Sequence, residues 1–344
     1  MKKSFYSIFM VLILSLTLFS LSAMLSLTLP SSLVVTEKVV DIPKGTDFLG
    51  IVDLLTKEGV VQNKLCFSLF VIMKGKVREM RAGEYLFSNS PLPDEVLSKL
   101  VTGEEFLHTL TIPEGYNLFQ VARVVENAGL TEEGRFLDKA KDRSFLSSLR
   151  IEGSSLEGYL FPDTYRFRKN TGEEDILRAM VNRFNQIYDE THEKRASALG
   201  LTKEQVVILA SMVEKEAGVS WEKPLIAAVF ENRLKKEIKL QSDPTVIYGL
   251  TNFNGDLTKE HLNVDTLYNT YRFKGLPPEP IANPGKDSMI AVLYPADVDY
   301  LYFVSRNDGT HSFSHTLKEH NQAVEKYQRR LKIPPGPLTI SQKP

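Results

Sequence analysis

Residues 201–218 read LTKEQVVILASMVEKEAG, and this stretch predicts the central helix of the chain. Thr202 and Gln205 have the spacing of a capping box, which marks the first turn of the helix. Gly218 marks its end. Apolar residues recur at helical spacing along one face, at Val206, Ala210, Val213 and Ala217. We therefore expect a helix that packs this face into a protein core.

Two glutamates flank the apolar face near the end of this helix. At about 100° per residue, Glu214 falls on one side, beside Val207 and Ala210. Glu216 falls on the other side, beside Leu209. A carboxyl group held against apolar neighbours has a raised pKa and can donate a proton near neutral pH. Helical geometry does not choose between the two residues, and a solvated carboxylate at a helix end is the alternative for either.

The sequence on both sides of this helix is also rich in helix signals. Residues 173–193 predict a long helix before it, and residues 223–236 predict a helix after it. The alternating segment 299–315 predicts a hairpin that turns at Asp308 and Gly309. A last helix is expected to begin at Thr316.

Two stretches nearer the N-terminus look like copies of one unit. Residues 39–61 and 109–130 each contain Ile-Pro-x-Gly, followed by apolar residues at a constant offset. Each predicts a short strand, a Pro/Gly turn and an amphipathic helix that stops at a glycine, Gly59 in one copy and Gly129 in the other. Units of this size occur in small cell-wall-binding modules and also as a common scaffold, so both interpretations stay open.

Shorter elements complete the N-terminal half. Residues 64–73 and 93–101 predict helices, and residues 81–85 predict a strand. The segment 131–152 has mixed polarity and is interpreted as a linker. Strand-turn-helix units ahead of a helix-rich half with small β elements make an α+β fold.

No charged residue occurs from Phe5 to Leu29, and this segment is long enough to cross a hydrocarbon core of about 30 Å as a helix. Lys2 and Lys3 precede it and favour a cytoplasmic N-terminus, which places the rest of the chain on the outer side of the membrane. A cleaved signal peptide is the alternative.

The overall composition excludes several classes of protein. The chain has 344 residues with 42 basic and 43 acidic side chains, and the net charge of −1 weighs against a nucleic-acid-binding protein. Hydrophobic residues make up 42% and charged residues 25%, as in folded domains, so wholesale disorder is excluded. Cys66 is the single cysteine and cannot form an intramolecular disulfide.

Five strings carry a resemblance to a known family. They are ILASMVEKEAG (208–218), AAVFENRL (227–234), LQSDPTVIYG (240–249), YNTYRFKGLPPEPIANPG (268–285) and YLYFVSRNDGTHSFSHTLKEHN (300–321). In the order and spacing of these five strings, the chain closely resembles the YceG-like, MltG-type endolytic murein transglycosylases. The resemblance covers nearly the whole chain, including the N-terminal apolar segment and a LysM-like segment.

This resemblance implies a single-pass enzyme of the bacterial inner membrane whose catalytic domain lies on the periplasmic or outer side. Members cut the MurNAc-β-1,4-GlcNAc bond within peptidoglycan strands and leave 1,6-anhydro-MurNAc ends, here expected on nascent strands. The first glutamate of Val-Glu-Lys-Glu, Glu214, is expected to be catalytic, and Glu216 is the second candidate. One glutamate is enough, because the C6 hydroxyl of MurNAc closes on C1 and the same carboxyl acts as acid and then as base. No cofactor and no metal are expected.

Residues that hold the substrate are expected in the same C-terminal strings. Polar groups offer hydrogen bonds, and tyrosines stack on sugar rings. Turn formation or core packing is the alternative role for each of them. The candidates are Gln241, Asp243, Thr245, Tyr248, Tyr268, Asn269, Tyr271, Asn283, His311 and Ser314.

Three other functions stay open at this point. A hydrolytic muramidase would use Asp163 or Asp243 as a second carboxylate. A non-catalytic glycan-binding membrane protein would be unaffected by Glu214→Gln. A metallohydrolase would use His311 and His315, although no H-E-x-x-H helix and no obvious third ligand accompany them.

The expected organisation has four parts. Residues 1–31 form a cytoplasmic tip and a transmembrane helix, 32–150 a LysM-like region with the two related units, 151–332 the catalytic domain, and 333–344 a Pro-rich, disordered tail. The expected partners are peptidoglycan glycan strands, the inner membrane and membrane-bound peptidoglycan synthases, with no nucleic acid.

Overall fold

A computed structural model describes residues 9–11, 13–15, 17, 37–87, 91–251 and 253–329. Most of the predicted transmembrane segment and the whole predicted tail lie outside the described residues. Over the part of the chain that the structure describes, no single helix is long and apolar enough to cross a membrane. Among the helices described, one pair, Glu190–Ala198 and Lys203–Glu216, bent by 91°, reaches the required length and composition together.

The chain divides into two compact units. Unit 1 comprises the described residues up to Thr109 together with Arg166–Thr171, and unit 2 comprises Leu110–Tyr165 together with the described residues from Gly172 onward. The second strand-turn-helix copy therefore lies mostly in unit 2, with the helix-rich half, whereas the predicted domains divide the chain at residue 150.

Two hydrogen bonds join the second copy to the C-terminal half within unit 2. The backbone N–H of Gly115 donates to the carbonyl of Asn283 at 2.9 Å, and the N–H of Asn283 donates to the carbonyl of Tyr116 at 2.9 Å. The Pro/Gly turn of the second copy is thus tied to the Ile-Ala-Asn-Pro-Gly segment of the C-terminal half.

Unit 1 contains a two-stranded antiparallel sheet covered by short helices. Its elements are β1 (Lys38–Ile42), α1 (Phe48–Lys57), α2 (Lys64–Met73), β2 (Gly83–Phe87) and α3 (Pro93–Thr102). β1 and β2 are antiparallel, with Lys38 opposite Phe87 and Ile42 opposite Gly83. Val40 and Ile42 alternate with exposed residues, so β1 buries only one face. That face packs on apolar residues of the three helices, including Leu55, Val71 and Leu100.

Two of the three boundaries between the units, after Thr109 and after Tyr165, fall inside strands. β3 spans His108–Thr111 and β4 spans Thr164–Phe167. The remaining elements belong to unit 2 and are α4 (Leu118–Asn127), α5 (Glu133–Ala140), α6 (Arg143–Ser148), α7 (Glu173–Ile187), α8 (Glu190–Ala198), α9 (Lys203–Glu216), α10 (Lys223–Lys235), α11 (Asp243–Tyr248), α12 (Lys286–Leu293), β5 (Tyr302–Ser305), β6 (His311–Ser314) and α13 (Leu317–Val324). The helix-rich α+β fold with small two-stranded sheets is confirmed.

Helix α9 is the centre of unit 2. Thr202 and Gln205 form the predicted capping box, in which the N–H of Gln205 donates to the Thr202 hydroxyl and the N–H of Thr202 donates to the Gln205 side chain. Every residue from Val206 to Val213 is buried, because α10, α11 and α12 all pack on this helix. The predicted apolar face is therefore part of a helix that is buried all round.

The two strand-turn-helix copies have the predicted structure. β1 precedes α1 and β3 precedes α4, and the glycines that end the two helices are left-handed, with φ of +72° at Gly59 and +69° at Gly129. Left-handed backbone is what favours glycine at these ends.

Three local predictions are wrong: those for residues 173–193, for residues 131–152 and for Gly218. The predicted helix 173–193 breaks after α7, and the carboxylate of Asp189 accepts from the N–H groups of Thr191 and His192 to begin α8. The predicted linker 131–152 contains α5 and α6, which bury Phe136 and Phe145.

Gly218 does not end α9 by a left-handed turn, because its φ is not positive. A Cβ at this position would lie 2.2 Å from the carbonyl oxygen of Gly309. Gly218 is thus required by the close approach of the β5–β6 hairpin to the end of α9.

Candidate active site

Glu214 is held in a charged cluster at the end of α9. Both of its carboxylate oxygens lie 3.1 Å from Lys223 Nζ. The N–H of Gly285 and the hydroxyl of Ser288 donate to Oε2 at 3.0 Å and 2.6 Å. The side chain of Lys223 is only 6% exposed, so Glu214 balances a buried positive charge. These contacts anchor α9 to α10 and α12.

Glu114, from the Ile-Pro-Glu-Gly turn of the second copy, extends this cluster. Its Oε2 lies 3.6 Å from Lys223 Nζ. Burial raises the pKa of Glu114, and the neighbouring Glu214 raises it further. A Cβ at position 285 would lie 2.0 Å from Glu114 Oε1, so the Glu114 carboxylate occupies space that only Gly285 leaves open.

Glu216, two residues on, has different surroundings. The hydroxyl of Ser242 donates to its Oε1 at 2.5 Å, and within the described residues Oε2 has no hydrogen-bond partner. Burial raises the pKa of Glu216 to about 7, although the Ser242 hydrogen bond and the charge of Arg233 lower it. A substantial fraction of this carboxyl is therefore protonated at neutral pH, as a proton donor requires.

Glu216 lines a cavity of about 420 Å³ in unit 2. The cavity is walled by α9, α10, the segment before α11, the β5–β6 hairpin and one face of α13. Its polar lining residues include Glu216, Arg233, Gln241, Asp243, Tyr271 and His311. A space lined by a protonatable carboxyl, amide, hydroxyl and imidazole groups suits a polyhydroxylated ligand.

The shape of this cavity is fixed by several internal contacts. The Arg233 guanidinium donates to the carbonyls of Leu301 at 2.6 Å and Leu240 at 2.7 Å, and it stacks 5.1 Å from the centre of the Tyr302 ring. The Tyr271 hydroxyl donates to Asp243 Oδ1 at 2.6 Å.

Gln241 adopts a left-handed backbone with φ of +49°. Such a conformation costs a non-glycine residue about 1–3 kcal/mol, and strain of this kind is concentrated at functional sites. The N–H of Gln241 donates to the carbonyl of Thr270 at 3.1 Å, which helps to hold it in place.

Four of the ten predicted substrate-binding residues line this cavity: Gln241, Asp243, Tyr271 and His311. The other six are not among its lining residues. Thr245, Asn269 and Ser314 are buried, and Thr245 and Asn269 bond to backbone carbonyls of nearby turns. The remaining three, Tyr248, Tyr268 and Asn283, contact acidic side chains away from the cavity.

Glu157 is the centre of this second polar group. It is 1% exposed, and its carboxylate accepts from the N–H of Leu118 at 2.9 Å, the hydroxyl of Tyr248 at 3.0 Å and the side-chain amide of Asn283 at 3.2 Å. Burial raises the pKa of Glu157 to about 7. Because it holds the first turn of α4, α11 and the Asn283 segment together, Glu157 has a structural role.

The predicted histidine pair is divided between different partners. His311 contacts Glu222, and His315 Nδ1 lies 2.7 Å from Asp299. His320 stacks on Tyr302 with ring centres 5.3 Å apart. Across the described ranges, no group of three or more His, Cys, Asp or Glu side chains is placed to hold a metal ion.

Sequence reasoning did not single out Arg233, Ser242, Glu222 or Glu157. Arg233 and Ser242 lie inside the quoted family strings, so those strings contained a signal for them. Glu157 and Glu222 lie outside the strings in segments with no recognisable motif, and only their burial identifies them.

Comparison with known proteins gives consistent results. A sequence model described as the YceG-like family matches residues 40–326. An endolytic murein transglycosylase of Bacillus subtilis (strain 168) is 34% identical over 304 residues, 84% of each chain. An endolytic murein transglycosylase of Streptococcus pneumoniae serotype 2 (strain D39) is 32% identical over 325 residues, which are 84% of this chain and 58% of that protein. A 2.6 Å crystal structure of a YceG-like protein from Listeria monocytogenes has 33% identity and a TM-score of 0.59, covering 84% of this chain and 99% of that one.

Proposed function

The chain belongs to the YceG-like family, and from this premise we propose that it is an endolytic murein transglycosylase. Its substrate is the MurNAc-β-1,4-GlcNAc bond within peptidoglycan glycan strands. The observation that carries this proposal is the cavity in which Glu216, with its pKa raised to about 7, faces side chains able to bond to sugar hydroxyls. Between the two glutamates of α9, the proposed acid is Glu216.

The contacts of the two carboxyl groups support this choice. Glu214 is committed to Lys223, Gly285 and Ser288. Glu216 has one oxygen bonded to Ser242 and the other without a partner in the described part of the chain. An oxygen without a protein partner can carry the proton and present it to a glycosidic oxygen.

The reaction then follows from this geometry. The Glu216 carboxylic acid gives its proton to the glycosidic oxygen, which leaves as the O4 hydroxyl of GlcNAc while the C1–O4 bond breaks. The carboxylate that remains stabilises the positive charge developing at C1. The C6 hydroxyl of the same MurNAc attacks C1 and closes the 1,6-anhydro ring. The proton lost from O6 ends on the Glu216 carboxylate, which restores the acid, and no water is consumed.

Hydrolysis is the competing candidate, because Asp243 lines the same cavity as Glu216 and is a second carboxylate for activating water. Asp163, the other residue considered for this role, does not line the cavity and pairs with Arg183 at 2.7 Å. A muramidase at this site would therefore use Asp243.

The products of the reaction distinguish the two. We expect the full-length chain, incubated with purified peptidoglycan, to release fragments with 1,6-anhydro-MurNAc ends, which mass spectrometry detects as lighter by one water than reducing ends. The bond is cut within strands, so products of many lengths are expected from the start. A product set with reducing ends alone would assign hydrolysis, and no cleavage at all would favour a glycan-binding protein.

The pH dependence gives an independent check on the acid. Because the pKa of Glu216 is raised to about 7, its proton is present below pH 7 and lost as the pH rises above it. We expect kcat/KM to fall about tenfold per pH unit above pH 7, for example between pH 8 and pH 9. Circular dichroism over the same range serves as the control for folding. A rate that is constant from pH 7 to pH 9 would contradict an acid with this pKa.

We also propose that the enzyme is anchored in the inner membrane and acts on its outer side. The uncharged segment from Phe5 to Leu29 supports a single-pass anchor in the inner membrane, with the catalytic unit on the outer side. A site held close to the membrane suits cleavage of nascent strands beside membrane-bound peptidoglycan synthases. The two strand-turn-helix copies are proposed as a LysM-like region that contacts the glycan.

A further inference from the structure

His311 and Glu222 form a pair at the edge of the cavity that contains Glu216. Both oxygens of Glu222 accept from His311: Oε1 from its backbone N–H at 2.8 Å and Oε2 from Nδ1 at 2.7 Å. Glu222 is fully buried, and the side chain of His311 is 11% exposed. His311 lines the cavity and Glu222 does not.

This arrangement fixes the orientation of the imidazole ring. Two contacts from one carboxylate set the position of His311 on β6, and the rings of Phe303 and Phe313 lie edge-on to it, 5.4 Å and 6.4 Å away. The Glu222 carboxylate accepts hydrogen bonds, so Nδ1 carries the proton. In the neutral imidazole Nε2 is then a hydrogen-bond acceptor, and it is the ring nitrogen left for a ligand.

We propose that His311 is a second catalytic residue of this site, which accepts the proton of the MurNAc C6 hydroxyl, and that Glu222 is its positioning residue. The inference rests on the proposed function, since the C6 hydroxyl reacts only in the intramolecular route. A buried acid that orients a histidine and stabilises its positive charge is an arrangement known from other enzymes.

Three proton transfers accompany closure of the anhydro ring. Glu216 gives its proton to O4 as the C1–O4 bond breaks. O6 forms a bond to C1, and the proton of O6 passes to Nε2 of His311. The imidazolium, stabilised by the Glu222 carboxylate, then returns a proton to the Glu216 carboxylate directly or through water. Both groups are restored, and no external oxidant, reductant or water is consumed.

The contacts of Glu216 explain why a second group is needed. One oxygen of Glu216 is occupied by the Ser242 hydroxyl, so a single oxygen is left to serve the substrate. That oxygen bonds to O4 until the leaving sugar departs. His311 supplies a separate acceptor for O6, so attack at C1 does not have to wait for O4 to leave.

The ratio of anhydro to reducing ends tests this role. If His311 activates O6, a His311→Gln variant should cleave about 100-fold more slowly, and water should capture more of the intermediate. The fraction of reducing ends should then rise severalfold. Glu222→Gln should change the ratio in the same direction, because its amide would donate to Nδ1 and leave Nε2 as a donor. These variants are compared by mass spectrometry in the full-length chain.

His315→Gln is the matched control. His315 is on the same hairpin, is half exposed and does not line the cavity. It should leave both the rate and the ratio of ends unchanged. An unchanged ratio in His311→Gln, whether or not the rate falls, would overturn the proposal, since a merely structural defect slows both routes equally.

A second measurement on the unaltered chain covers the case in which the variants are inactive or unfolded. Addition of the disaccharide GlcNAc-1,6-anhydro-MurNAc should move the ¹⁵N resonance of His311 Nε2, and no movement at saturation would overturn the proposal. Different outcomes test the proposed function and the role of His311. A wild-type chain that forms no anhydro ends refutes the proposed function, whereas anhydro ends with an unaffected ratio in the variants refute only the role of His311.

Discussion

A Glu216→Gln variant is expected to lose glycan cleavage by about 10²–10⁴-fold, the range that removal of a general acid produces. The glutamine keeps an oxygen to accept from Ser242 but has no proton to give to the glycosidic oxygen. Because burial raises the pKa of Glu216, removal of the carboxyl also removes an unfavourable ionisation and should not destabilise the fold. The release of soluble fragments from purified peptidoglycan measures the loss, and thermal unfolding checks the fold.

Glu214→Gln is the matched control, since it changes the same residue type two positions away on the same helix. The glutamine oxygen can still accept from Gly285 and Ser288, but the buried Lys223 loses its counter-charge. Removal of one partner of a buried pair costs about 3–5 kcal/mol. We therefore expect a less stable protein that cleaves at near-normal rates at temperatures where it is folded.

The reverse pattern would refute the assignment. If folded Glu214→Gln were inactive and Glu216→Gln active, the first glutamate of Val-Glu-Lys-Glu would be the acid, as the family resemblance implies. If both variants cleaved at wild-type rates, neither carboxyl would be catalytic.

A Glu157→Ala variant is expected to be severely destabilised, by about 3–6 kcal/mol. Three buried donors, from Leu118, Tyr248 and Asn283, would lose their acceptor, and each unsatisfied group costs about 1–3 kcal/mol. Domains of this size have a total stability of about 5–15 kcal/mol, so the loss is a large fraction. Thermal unfolding should show a decrease in Tm of about 10 °C. A decrease of less than about 2 °C would mean that this network contributes little.

A Glu157→Gln variant separates the contribution of the hydrogen bonds to stability from the contribution of ionisation. The pKa of Glu157 is raised from 4.5 to about 7, so the folded chain keeps a proton that the unfolded chain has lost in this interval. The stability contributed by Glu157 is full below pH 4.5 and is lost as the pH rises to 7. The glutamine does not ionise, so its free energy of unfolding relative to wild type should rise by about 3 kcal/mol between pH 4.5 and pH 7. Urea unfolding at the two pH values measures this difference.

Local sequence signals predicted most of the elements, because helix caps and turns depend on nearby residues. Thr202 with Gln205 and Thr316 with Glu319 form the expected capping boxes. The left-handed glycines at positions 59 and 129 end their helices as predicted. These signals act over three or four residues and need no tertiary contact to be recognised.

The wrong predictions concern segments whose structure depends on contacts with residues far away in the sequence. The segment 131–152 is polar enough to suggest a linker, yet it forms α5 and α6 because Phe136 and Phe145 pack into unit 2. Gly218 follows a helix, yet the carbonyl of Gly309, 91 residues later, is the reason for a glycine there. A single sequence does not reveal which distant residues will be adjacent.

By itself, the sequence determined the α+β class, the central helix and the two glutamates at its end. Helical periodicity placed Glu214 and Glu216 on opposite edges of one apolar face, but it could not distinguish them, since the environment of a carboxyl is made by residues from other elements. Tertiary structure gave them different surroundings by placing Lys223, Gly285 and Ser288 around Glu214 and an open cavity beside Glu216. Burial raises the pKa of Glu216, whereas Glu214 is held in an ion pair with Lys223, so the two neighbouring glutamates acquire different chemistry from the fold.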